Sequence, residues 1–321
     1  MKVVLTGGAG FIGSCILWKL NELGVDNILV VDRMDDTDKW KNLVKKRYAD
    51  YMDADDFLQA AELGAFDGID MVIHMGANSA TNGYSSYEYM MNNYEYSKRI
   101  AQWCLSNDIK LLYASSAATY GDGSLGFSDH DNSTGCYEPL NMYGYSKHMF
   151  DLWVLRNGFQ NNFTGFKFFN VYGPNEYHKG PMQSLICKKF EHVVKEHKLT
   201  LFKSYHPDYA DGEQKRDFIY VKDAVNVVAY FIQNPDKSGI FNVGTGMAHS
   251  WNDMAKALFA ALDLPFDVEY VDMPDSLKDK YQYITQADTV KLREAGCNAV
   301  FTPIDNAVAD YVKYLSNKSC L

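Results

Sequence analysis

The stretch VVLTGGAGFIGSCILWKL, residues 3 to 20, joins a β-branched apolar run to an amphipathic one through closely spaced glycines. Gly7, Gly10 and Gly13 stand in the spacing GxxGxxG. Glycines at these positions allow a tight turn, a close backbone approach to a bound anion, and close packing of a helix on a strand. The free N–H groups and the positive dipole end at the helix N-terminus favour that anion. The stretch therefore predicts a strand, a turn and a helix that begin a parallel α/β sheet.

Asp32 ends the next apolar run, ILVVD, 19 residues after Gly13. An acidic residue at this distance turns a weak glycine pattern into a strong prediction of a dinucleotide site, with the pyrophosphate at the helix N-terminus. Asp32 could accept hydrogen bonds from the adenosine ribose, which favours NAD, whereas Arg33 and Lys39 could hold a 2′-phosphate, which favours NADP. Lys39 could also be a solvated helix residue. We expect NADP, with NAD as the alternative.

Short apolar runs alternate with amphipathic stretches from residue 2 to about residue 173. This alternation is typical of repeated βαβ units, and continuous apolar strands suit a sheet that is buried on both faces. We predict a doubly wound parallel sheet of the Rossmann type, with a smaller, discontinuous α/β substrate-binding domain over the carboxyl edge of the strands. The predicted dinucleotide-binding domain covers residues 1–173 and about 218–246, and the substrate domain covers about 174–217 and 247–321.

The charge balance argues against a nucleic-acid partner. The chain has 31 basic and 41 acidic residues, a formal net charge of −10, and its basic residues are spread along the sequence.

Six cysteines lie far apart without a CxxC pair, which favours reduced thiols over a disulfide framework or a metal site. No apolar run approaches the roughly 20 residues that span a bilayer, and the first residues lack a signal-peptide pattern. We expect a cytoplasmic protein with no metal and no membrane partner.

The segment NMYGYSK, residues 141 to 147, places Tyr143 and Lys147 one helical turn apart. Such a pair can be surface decoration. Beside a nicotinamide cofactor it has a chemical role, because hydride transfer at an alcohol carbon requires a proton to leave or join the oxygen. A phenol with a pKa of about 10 is a poor base, and a lysine cation one turn away lowers that pKa. Ser116, at the end of LLYASS, can hydrogen-bond the same substrate oxygen, whereas Tyr145 faces away and is expected to be a packing residue.

Motifs along nearly the whole chain resemble the extended short-chain dehydrogenase/reductase superfamily, also called the NAD-dependent epimerase/dehydratase superfamily. They include TGGAGFIG, the serine pair, YxxxK and RDFIYVKD. The likeness is closer to the ADP-L-glycero-D-manno-heptose 6-epimerase family. The pattern of that family is matched in order and spacing by YASSAATYG, PLNMYGYSK, FFNVYGP, HKG, RDFIYV, GIFNVGTG and YQYITQAD.

The resemblance implies an isomerase that inverts C6 of ADP-glycero-manno-heptose by transient oxidation and re-reduction with bound NADP+, for lipopolysaccharide-type heptose supply. Tyr143 would handle the hydroxyl proton on one face of the sugar. Inversion also needs an acid/base group on the other face, and Lys179 in EYHKGP matches the second base of the family. The alternative role for Lys179 is a contact with the substrate diphosphate.

Residue-by-residue matching extends the two predicted binding sites. Arg216 would clamp phosphate in a bidentate way that lysine does not reproduce, and Tyr281 would close over the sugar or its phosphate. The cofactor site would also include Phe11, Ile12, Gly76, Ala77, Asn78, Ser79, Asn93, Tyr143, Lys147, Val171 and Lys179. The substrate site would include Ser116, Asn170, Pro181, Lys188, Phe202, Lys203, Ser204, Arg216 and Tyr281.

The sequence departs from the family pattern mainly around the substrate. Thr81, Asn82 and Gly83 replace Thr-Thr-Glu, Ala54 replaces a cofactor-side lysine, Pro181 replaces a serine, Lys188 replaces a histidine, and Phe202 to Tyr205 replace Phe-Glu-Gly-Ser. The added lysines at 188 and 203 could place a phosphate differently. A nucleotide other than ADP is therefore a second hypothesis for the substrate.

Three other classes of protein share parts of this sequence pattern. A 4,6-dehydratase would need a carboxyl pair where this chain has Ala117 and Ala118, so water elimination lacks its acid and base. A C4 epimerase, or a related ketoreductive enzyme, acting on another nucleotide sugar remains the alternative. A non-catalytic NADP-binding sensor would tolerate loss of Tyr143 or Lys147.

By analogy with the superfamily we expect a homo-oligomer that pairs through the segments 87–107 and 142–157.

Overall fold

The computed structural model describes residues 1–80, 85–278 and 281–321. The strands are β1 (Val3–Thr6), β2 (Ile28–Asp32), β3 (Asp50–Asp53), β4 (Met71–His74), β5 (Lys110–Ser116), β6 (Thr164–Phe168), β7 (Asn170–Tyr172), β8 (Leu199–Phe202), β9 (Lys215–Arg216), β10 (Phe218–Tyr220), β11 (Gly239–Val243), β12 (His249–Ser250) and β13 (Val268–Val271). Seven of them form one parallel sheet in the order β11-β6-β5-β4-β1-β2-β3. The chain runs outward from β1 in both directions, which confirms the predicted doubly wound sheet.

The helices follow the strands. They are α1 (Phe11–Glu22), α2 (Ala54–Glu62), α3 (Ser86–Tyr89), α4 (Tyr96–Ser106), α5 (Asp131–Thr134), α6 (Met142–Arg156), α7 (Leu185–Glu196), α8 (Val221–Gln233), α9 (Trp251–Ala261), α10 (Asp275–Lys278), α11 (Val290–Glu294) and α12 (Ile304–Asn317). Short 3₁₀ segments lie at Asp38–Leu43, Ala117–Tyr120, Phe159–Asn161 and Tyr177–Met182. Within the described ranges, no helix combines the length and the apolar character needed to cross a bilayer.

Apolar side chains cover both faces of the main sheet. Successive residues of a strand point to opposite faces, so Val3 and Leu5 join one core whereas Val4 joins the other. The first core includes residues of α1 and α8 and continues into α7, α9 and α12. The second core includes residues of α2, α4 and α6. Burial on both faces explains why the strands of this sheet are apolar without alternation.

Three two-stranded sheets stand beside the main one. β10 pairs with β7, β12 with β9, and β13 with β8. β11 lies at the edge of the main sheet, whereas β10 does not join it. Most of these small sheets and helices α7, α9 and α12 fall in the ranges assigned above to a substrate domain. The domain boundaries themselves remain a prediction.

A π-helical segment at Met90–Glu95 connects α3 to α4. α3 begins with a capping box, in which Ser85 accepts from the Glu88 N–H and the Glu88 carboxylate accepts from the Ser85 N–H. Single-turn π segments inside helices often occur at functional sites. Here the segment places Asn93, whose side chain is fully buried, toward the loop after β4.

Candidate functional site

The turn between β1 and α1 is shaped by its glycines. Gly7 has φ +68°, and a Cβ atom there would lie 2.6 Å from the backbone nitrogen of Gly76 in the loop after β4. A Cβ at Gly13 would collide with the carbonyl oxygen of Gly7. α1 begins at Phe11, after Gly10, so no side chain caps its N-terminus. Ile12 follows in the first turn. The cradle of free N–H groups fits a pyrophosphate, as the motif predicts.

Asp32 is held by three donors at the end of β2. Its carboxylate accepts from the backbone N–H of Ala9 at 2.8 Å and of Arg33 at 2.8 Å. It also accepts from Lys39 Nζ at 3.2 Å, and Lys39 lies 3.3 Å from Asp35 as well. Lys39 is thus an anchored neighbour of Asp32 and not a freely solvated helix residue.

The Arg33 side chain turns toward α2 and the π segment. Its guanidinium donates to the Asp55 carboxylate at 2.5 Å and to Asn92 Oδ1 at 2.9 Å, and it lies 5.6 Å from the ring centroid of Tyr96. The Asp55 hydrogen bond is the main reason why the pKa of Arg33 is raised. Arg33 and Lys39 therefore bring two cations to the edge of the sheet at which Asp32 ends.

The loop after β4 contains Gly76, Ala77, Asn78 and Ser79. Asn93 fixes this loop, because its side chain accepts from the Asn78 N–H at 2.8 Å and donates to the Asn78 carbonyl at 3.1 Å. Asn93 also donates to Ser146 Oγ at 3.0 Å and so joins the loop to α6. This is the backbone contact that the sequence predicts for Asn93.

A chain of buried hydrogen bonds also supports the loop after β4. His74 at the end of β4 bonds Thr6 Oγ1 at 2.6 Å and Ser97 Oγ at 2.9 Å. Ser97 in turn donates to the Asn93 carbonyl at 2.6 Å. Burial lowers the pKa of His74 to about 3, so the imidazole is neutral. The sequence did not identify His74, because a single histidine in a strand gives no pattern.

α6 carries the tyrosine and lysine pair. Asn141 caps the helix by accepting from the Gly144 N–H at 2.9 Å. A Cβ at Gly144 would lie 2.5 Å from the Ala118 carbonyl, so this glycine lets the helix approach the segment after β5. Lys147 is 3% exposed, and its Nζ donates to the Ala114 carbonyl at 2.8 Å. Ser116 is near enough to Tyr143 to lower the pKa of its hydroxyl.

The electrostatics of this pair differ from the sequence-based expectation. Burial raises the pKa of Tyr143, and the nearby Ser116 side chain opposes that rise. Burial also lowers the pKa of Lys147 to about 8, with Asp151 acting in the other direction. The protein alone thus does not lower the tyrosine pKa. The expectation for Tyr145 was also wrong, since this side chain is 42% exposed on the outer face of the helix.

Two charged residues that the sequence analysis missed lie beneath this pair. Asp151 and Lys167 are fully buried, with 2.7 Å between Lys167 Nζ and Asp151 Oδ2. Asp151 follows Lys147 by four residues, a spacing that could have pointed to it. Lys167 interrupts the apolar strand TGFKF, and an isolated charge in a buried strand is a recognisable signal.

The 3₁₀ segment Tyr177–Met182 holds Lys179 and the exposed Pro181. Lys179 Nζ lies 5.1 Å from the ring centroid of Phe11, which places it against the dinucleotide turn. Burial lowers the pKa of Lys179, and Glu176 acts in the other direction. A lysine with a lowered pKa is suited to exchange protons near neutral pH.

Asn42 links this segment to the dinucleotide turn. Its Nδ2 lies 3.0 Å from the Ala9 carbonyl, 3.0 Å from the Asn175 carbonyl and 3.4 Å from His178 Nδ1. Asn42 is 3% exposed. One buried amide thus contacts the turn that holds Gly7 to Gly10 and the chain that leads into Lys179.

Arg216 in β9 is a buried cation. It is 7% exposed, donates to the Lys215 carbonyl at 2.8 Å and lies 5.1 Å from the ring centroid of Tyr281. The Tyr281 hydroxyl accepts from Trp251 Nε1 at 2.9 Å. Burial lowers the pKa of Arg216. No carboxylate forms an ion pair with Arg216 in the described part of the chain, so the site suits an anionic group.

Asn170 and Val171 belong to β7, beside the loop that contains Thr285. Asn170 is exposed, and its Oδ1 accepts from Thr285 Oγ1 at 3.3 Å. Val171 is partly buried next to it. The register of β7 with β10 sets Asn170 opposite Phe218, two residues beyond Arg216.

Other predicted substrate residues are exposed or already have a protein partner. Lys203 Nζ is 3.1 Å from Asp272, so a carboxylate already neutralises this lysine. Phe202 is 36% exposed, and the Ser204 N–H donates to Asp211 at 2.7 Å. Lys188 is exposed on α7 and lines a groove of about 1490 Å³ whose other lining residues include Trp18 and Trp40. The departures at Asn82 and Gly83 lie outside the described residues.

Comparisons with known proteins agree with this geometry. The profile of the NAD dependent epimerase/dehydratase family matches residues 3–244. An ADP-L-glycero-D-manno-heptose-6-epimerase from Nitratidesulfovibrio vulgaris strain Hildenborough is 51% identical over 97% of this chain and 96% of its own length. The enzyme of the same name from Fusobacterium nucleatum subsp. nucleatum is 43% identical over 98% of both chains.

A solved structure gives the same result at the level of the fold. The crystal structure of Helicobacter pylori ADP-L-glycero-D-manno-heptose-6-epimerase superposes with a TM-score of 0.81 at 26% identity, over 98% of this chain and 96% of that one. The family match covers all seven strands of the main sheet, and the relatives cover nearly the whole chain. This chain therefore belongs to the NAD dependent epimerase/dehydratase family and, within it, to the ADP-L-glycero-D-manno-heptose-6-epimerases.

Proposed function

We propose that the protein inverts C6 of ADP-glycero-manno-heptose by transient oxidation and re-reduction with bound NADP+, and so supplies heptose for lipopolysaccharide-type glycans. The observation that carries the proposal is the presence of acid/base groups on two separate elements, Tyr143 on α6 and Lys179 on the 3₁₀ segment. An epimerisation at one carbon needs proton transfer on both faces, and this arrangement can provide it.

The glycine turn supports a nicotinamide cofactor, because Gly7 and Gly13 let the backbone of the turn pack closely on the loop after β4 and on α1, as a pyrophosphate-binding turn requires. The cofactor supplies the hydride acceptor and donor when bound. Tyr143 removes the hydroxyl proton in the oxidation, while Ser116 orients the same oxygen. Lys179 delivers or accepts the proton when the ketone presents its other face. Arg216 binds the diphosphate of the substrate, and Tyr281, which lies next to Arg216, packs over the same diphosphate.

We propose NADP in preference to NAD, since Lys39 Nζ lies 3.2 Å from Asp32 and Arg33, whose guanidinium pairs with Asp55, is the next residue. Asp32 already accepts from Ala9, Arg33 and Lys39, so its carboxylate is screened from a 2′-phosphate. Denaturing the purified protein and identifying the released nucleotide tests this assignment. Release of NAD would contradict it.

The decisive experiment incubates the fresh protein with each C6 epimer of ADP-manno-heptose and follows the products by NMR without added cofactor. We expect interconversion of the two epimers. Tyr143→Phe should slow it by about 10²–10⁴-fold, and Tyr145→Phe is the matched control because this second tyrosine is exposed on the same helix. Retention of a bound dinucleotide without interconversion would overturn the heptose substrate. Binding of GDP, UDP or CDP more tightly than ADP would support the second nucleotide hypothesis.

The oligomeric state and location belong to the same proposal. Tyr87 is 72% exposed and Met91 is 42% exposed on the segment around the π helix, and Tyr145 of α6 is 42% exposed. These side chains support pairing with a second copy, which light scattering would test. All six cysteines are free, which supports a cytoplasmic location.

A further inference from the structure

Glu176 is a buried carboxylate that has no role in the chemistry proposed above. It is 0% exposed and directly precedes the 3₁₀ segment Tyr177–Met182, which carries Lys179. A carboxylate is costly to remove from water unless hydrogen-bond donors surround it. The donors around Glu176 therefore indicate which parts of the chain this side chain holds together.

Glu176 joins the two ends of the chain segment that contains Lys179. Its Oε1 accepts from the N–H of Gly173, the residue after β7, at 3.2 Å. Its Oε2 accepts from the N–H of Ser184, the N-cap of α7, at 2.6 Å, and the Ser184 hydroxyl donates to Oε1 at 2.6 Å. Residues 173–184, called the Lys179 loop below, are thus closed by one side chain.

Neighbouring helices fix the base of the Lys179 loop. Asn175 Nδ2 donates to Ser14 Oγ of α1 at 2.9 Å, and the Tyr311 hydroxyl of α12 donates to Glu176 Oε1 at 3.0 Å. Inside the loop, the Lys179 N–H donates to the Glu176 carbonyl at 3.0 Å. The base of the loop is therefore held on α1 and α12, and the backbone of Lys179 is tied to that base.

Lys179 reaches the dinucleotide turn from this base. Its Nζ lies 5.1 Å from the ring centroid of Phe11. Because the lysine stem is flexible, the ammonium keeps one position only if the backbone beneath it is fixed. A displacement of about 1 Å at a reacting group can lower a rate roughly 100-fold. The closure of the loop thus bears directly on what Lys179 can do.

We propose that Glu176 is a positioning residue, which closes the Lys179 loop and so holds Lys179 at the dinucleotide turn for proton transfer. The inference rests on the proposed role of Lys179 as the second acid/base group. The bonds from Gly173 and Ser184 carry it, because these donors stand at opposite ends of the loop. Glutamine cannot reproduce this closure, since its amide nitrogen would face a donor where the carboxylate offers an acceptor.

The first measurement is hydrogen exchange of the holoprotein, followed by mass spectrometry of peptides from the Lys179 loop. In Glu176→Gln the loop amides should exchange at least roughly 10-fold faster, because buried donors lose their acceptor. Ser184→Ala keeps the charge of Glu176 and removes one hydroxyl donor, so the loop should exchange faster by a smaller factor. Tyr311→Phe is the matched control, since it removes a bond to the same carboxylate that comes from outside the loop. Its loop exchange should be unchanged.

The second measurement separates positioning from a general loss of structure. Each C6 epimer of ADP-manno-heptose is mixed with each variant, and the absorbance of the reduced nicotinamide reports oxidation of the bound sugar. Glu176→Gln should oxidise the epimer whose hydroxyl faces Lys179 roughly 10- to 100-fold more slowly, and should oxidise the epimer that faces Tyr143 at an unchanged rate. Tyr311→Phe should oxidise both epimers as the unaltered protein does.

Equal slowing of both epimers by Glu176→Gln would show a merely structural role and overturn the inference. Unchanged exchange in the Lys179 loop would also overturn it, as would faster exchange spread over the whole main sheet. If Glu176→Gln does not fold, Ser184→Ala decides by the same two measurements.

The exchange measurement needs no sugar, so it separates this inference from the proposed substrate. Faster exchange confined to the Lys179 loop, without oxidation of either heptose by the unaltered protein, would keep the placement of Lys179 by Glu176 and reject the substrate. Interconversion of the heptoses with unchanged exchange in the loop would do the reverse.

Discussion

Replacing Arg216 by methionine should stabilise the protein while weakening its affinity for ADP. The guanidinium is 7% exposed, and its contacts in the described residues are one hydrogen bond to a carbonyl and one aromatic ring. Taking a cation out of water costs several kcal/mol, and no carboxylate of the described residues offsets that cost for Arg216. An apolar group of similar size should therefore stabilise by about 1–4 kcal/mol, the range found when buried ion pairs are replaced. The lost ring contact is worth about 0.5–2 kcal/mol. The expected net gain in the free energy of unfolding is about 1 kcal/mol.

The effect on binding has the opposite sign. Two charge-assisted hydrogen bonds to a diphosphate contribute about 1.5 kcal/mol each, so Arg216→Met should lose about 3 kcal/mol of binding free energy, or roughly 100-fold in affinity for ADP. Calorimetry with ADP gives the affinity, and urea unfolding of the ligand-free protein gives the stability. Lys215→Met is the control, because Lys215 is the exposed neighbour in β9. Unchanged ADP affinity, or a less stable Arg216→Met protein, would refute the reasoning.

Three further changes separate the roles of individual residues. Tyr143→Phe should reduce interconversion by about 10²–10⁴-fold, because the proton acceptor is lost, and should keep the dinucleotide bound; loss of the nucleotide would show that the ring has a structural role instead. Lys179→Met should slow the inversion while oxidation of the bound sugar from the Tyr143 side continues, as measured by the absorbance of the reduced nicotinamide. An unaffected inversion would exclude Lys179 as the second acid/base group. Gly7→Ala should abolish dinucleotide retention, because a Cβ at this position, where φ is +68°, would lie 2.6 Å from the Gly76 nitrogen. Gly64→Ala is the control and should retain the nucleotide, because Gly64 also has a positive φ but has no neighbour within 4 Å of its Cβ position. Equal nucleotide content in both variants would contradict the role of the Gly7 turn in binding the dinucleotide.

The parts of the fold that follow local rules could be predicted from the sequence. The glycine turn, Asp32 at the end of β2, and the helix that carries Tyr143 and Lys147 each follow from a short motif with its own backbone requirement. The pairing of β10 with β7 outside the main sheet could not be predicted, because both strands have three residues and the pairing depends on tertiary contacts.

The electrostatics of the site were harder to predict than its geometry. The spacing of Tyr143 and Lys147 gives their distance along a helix but not how deeply each is buried, and burial decides the direction of both pKa shifts. Asp151 and Lys167 are 16 residues apart on a helix and the strand that follows it, and their contact depends on how α6 packs on β6. The cation at Lys203 was assigned to phosphate, and its partner Asp272 lies 69 residues away along the chain.

The amide of Asn42 limits how independently two parts of this enzyme can change. It contacts the carbonyl of Ala9 in the dinucleotide turn and the carbonyl of Asn175, which leads into the segment of Lys179. An engineered turn that accommodates a different dinucleotide would shift one of these carbonyls and strain the other contact. Attempts to change cofactor preference in this scaffold should therefore vary residue 42 together with the turn, since otherwise a better fit for the cofactor would disturb the segment that holds Lys179.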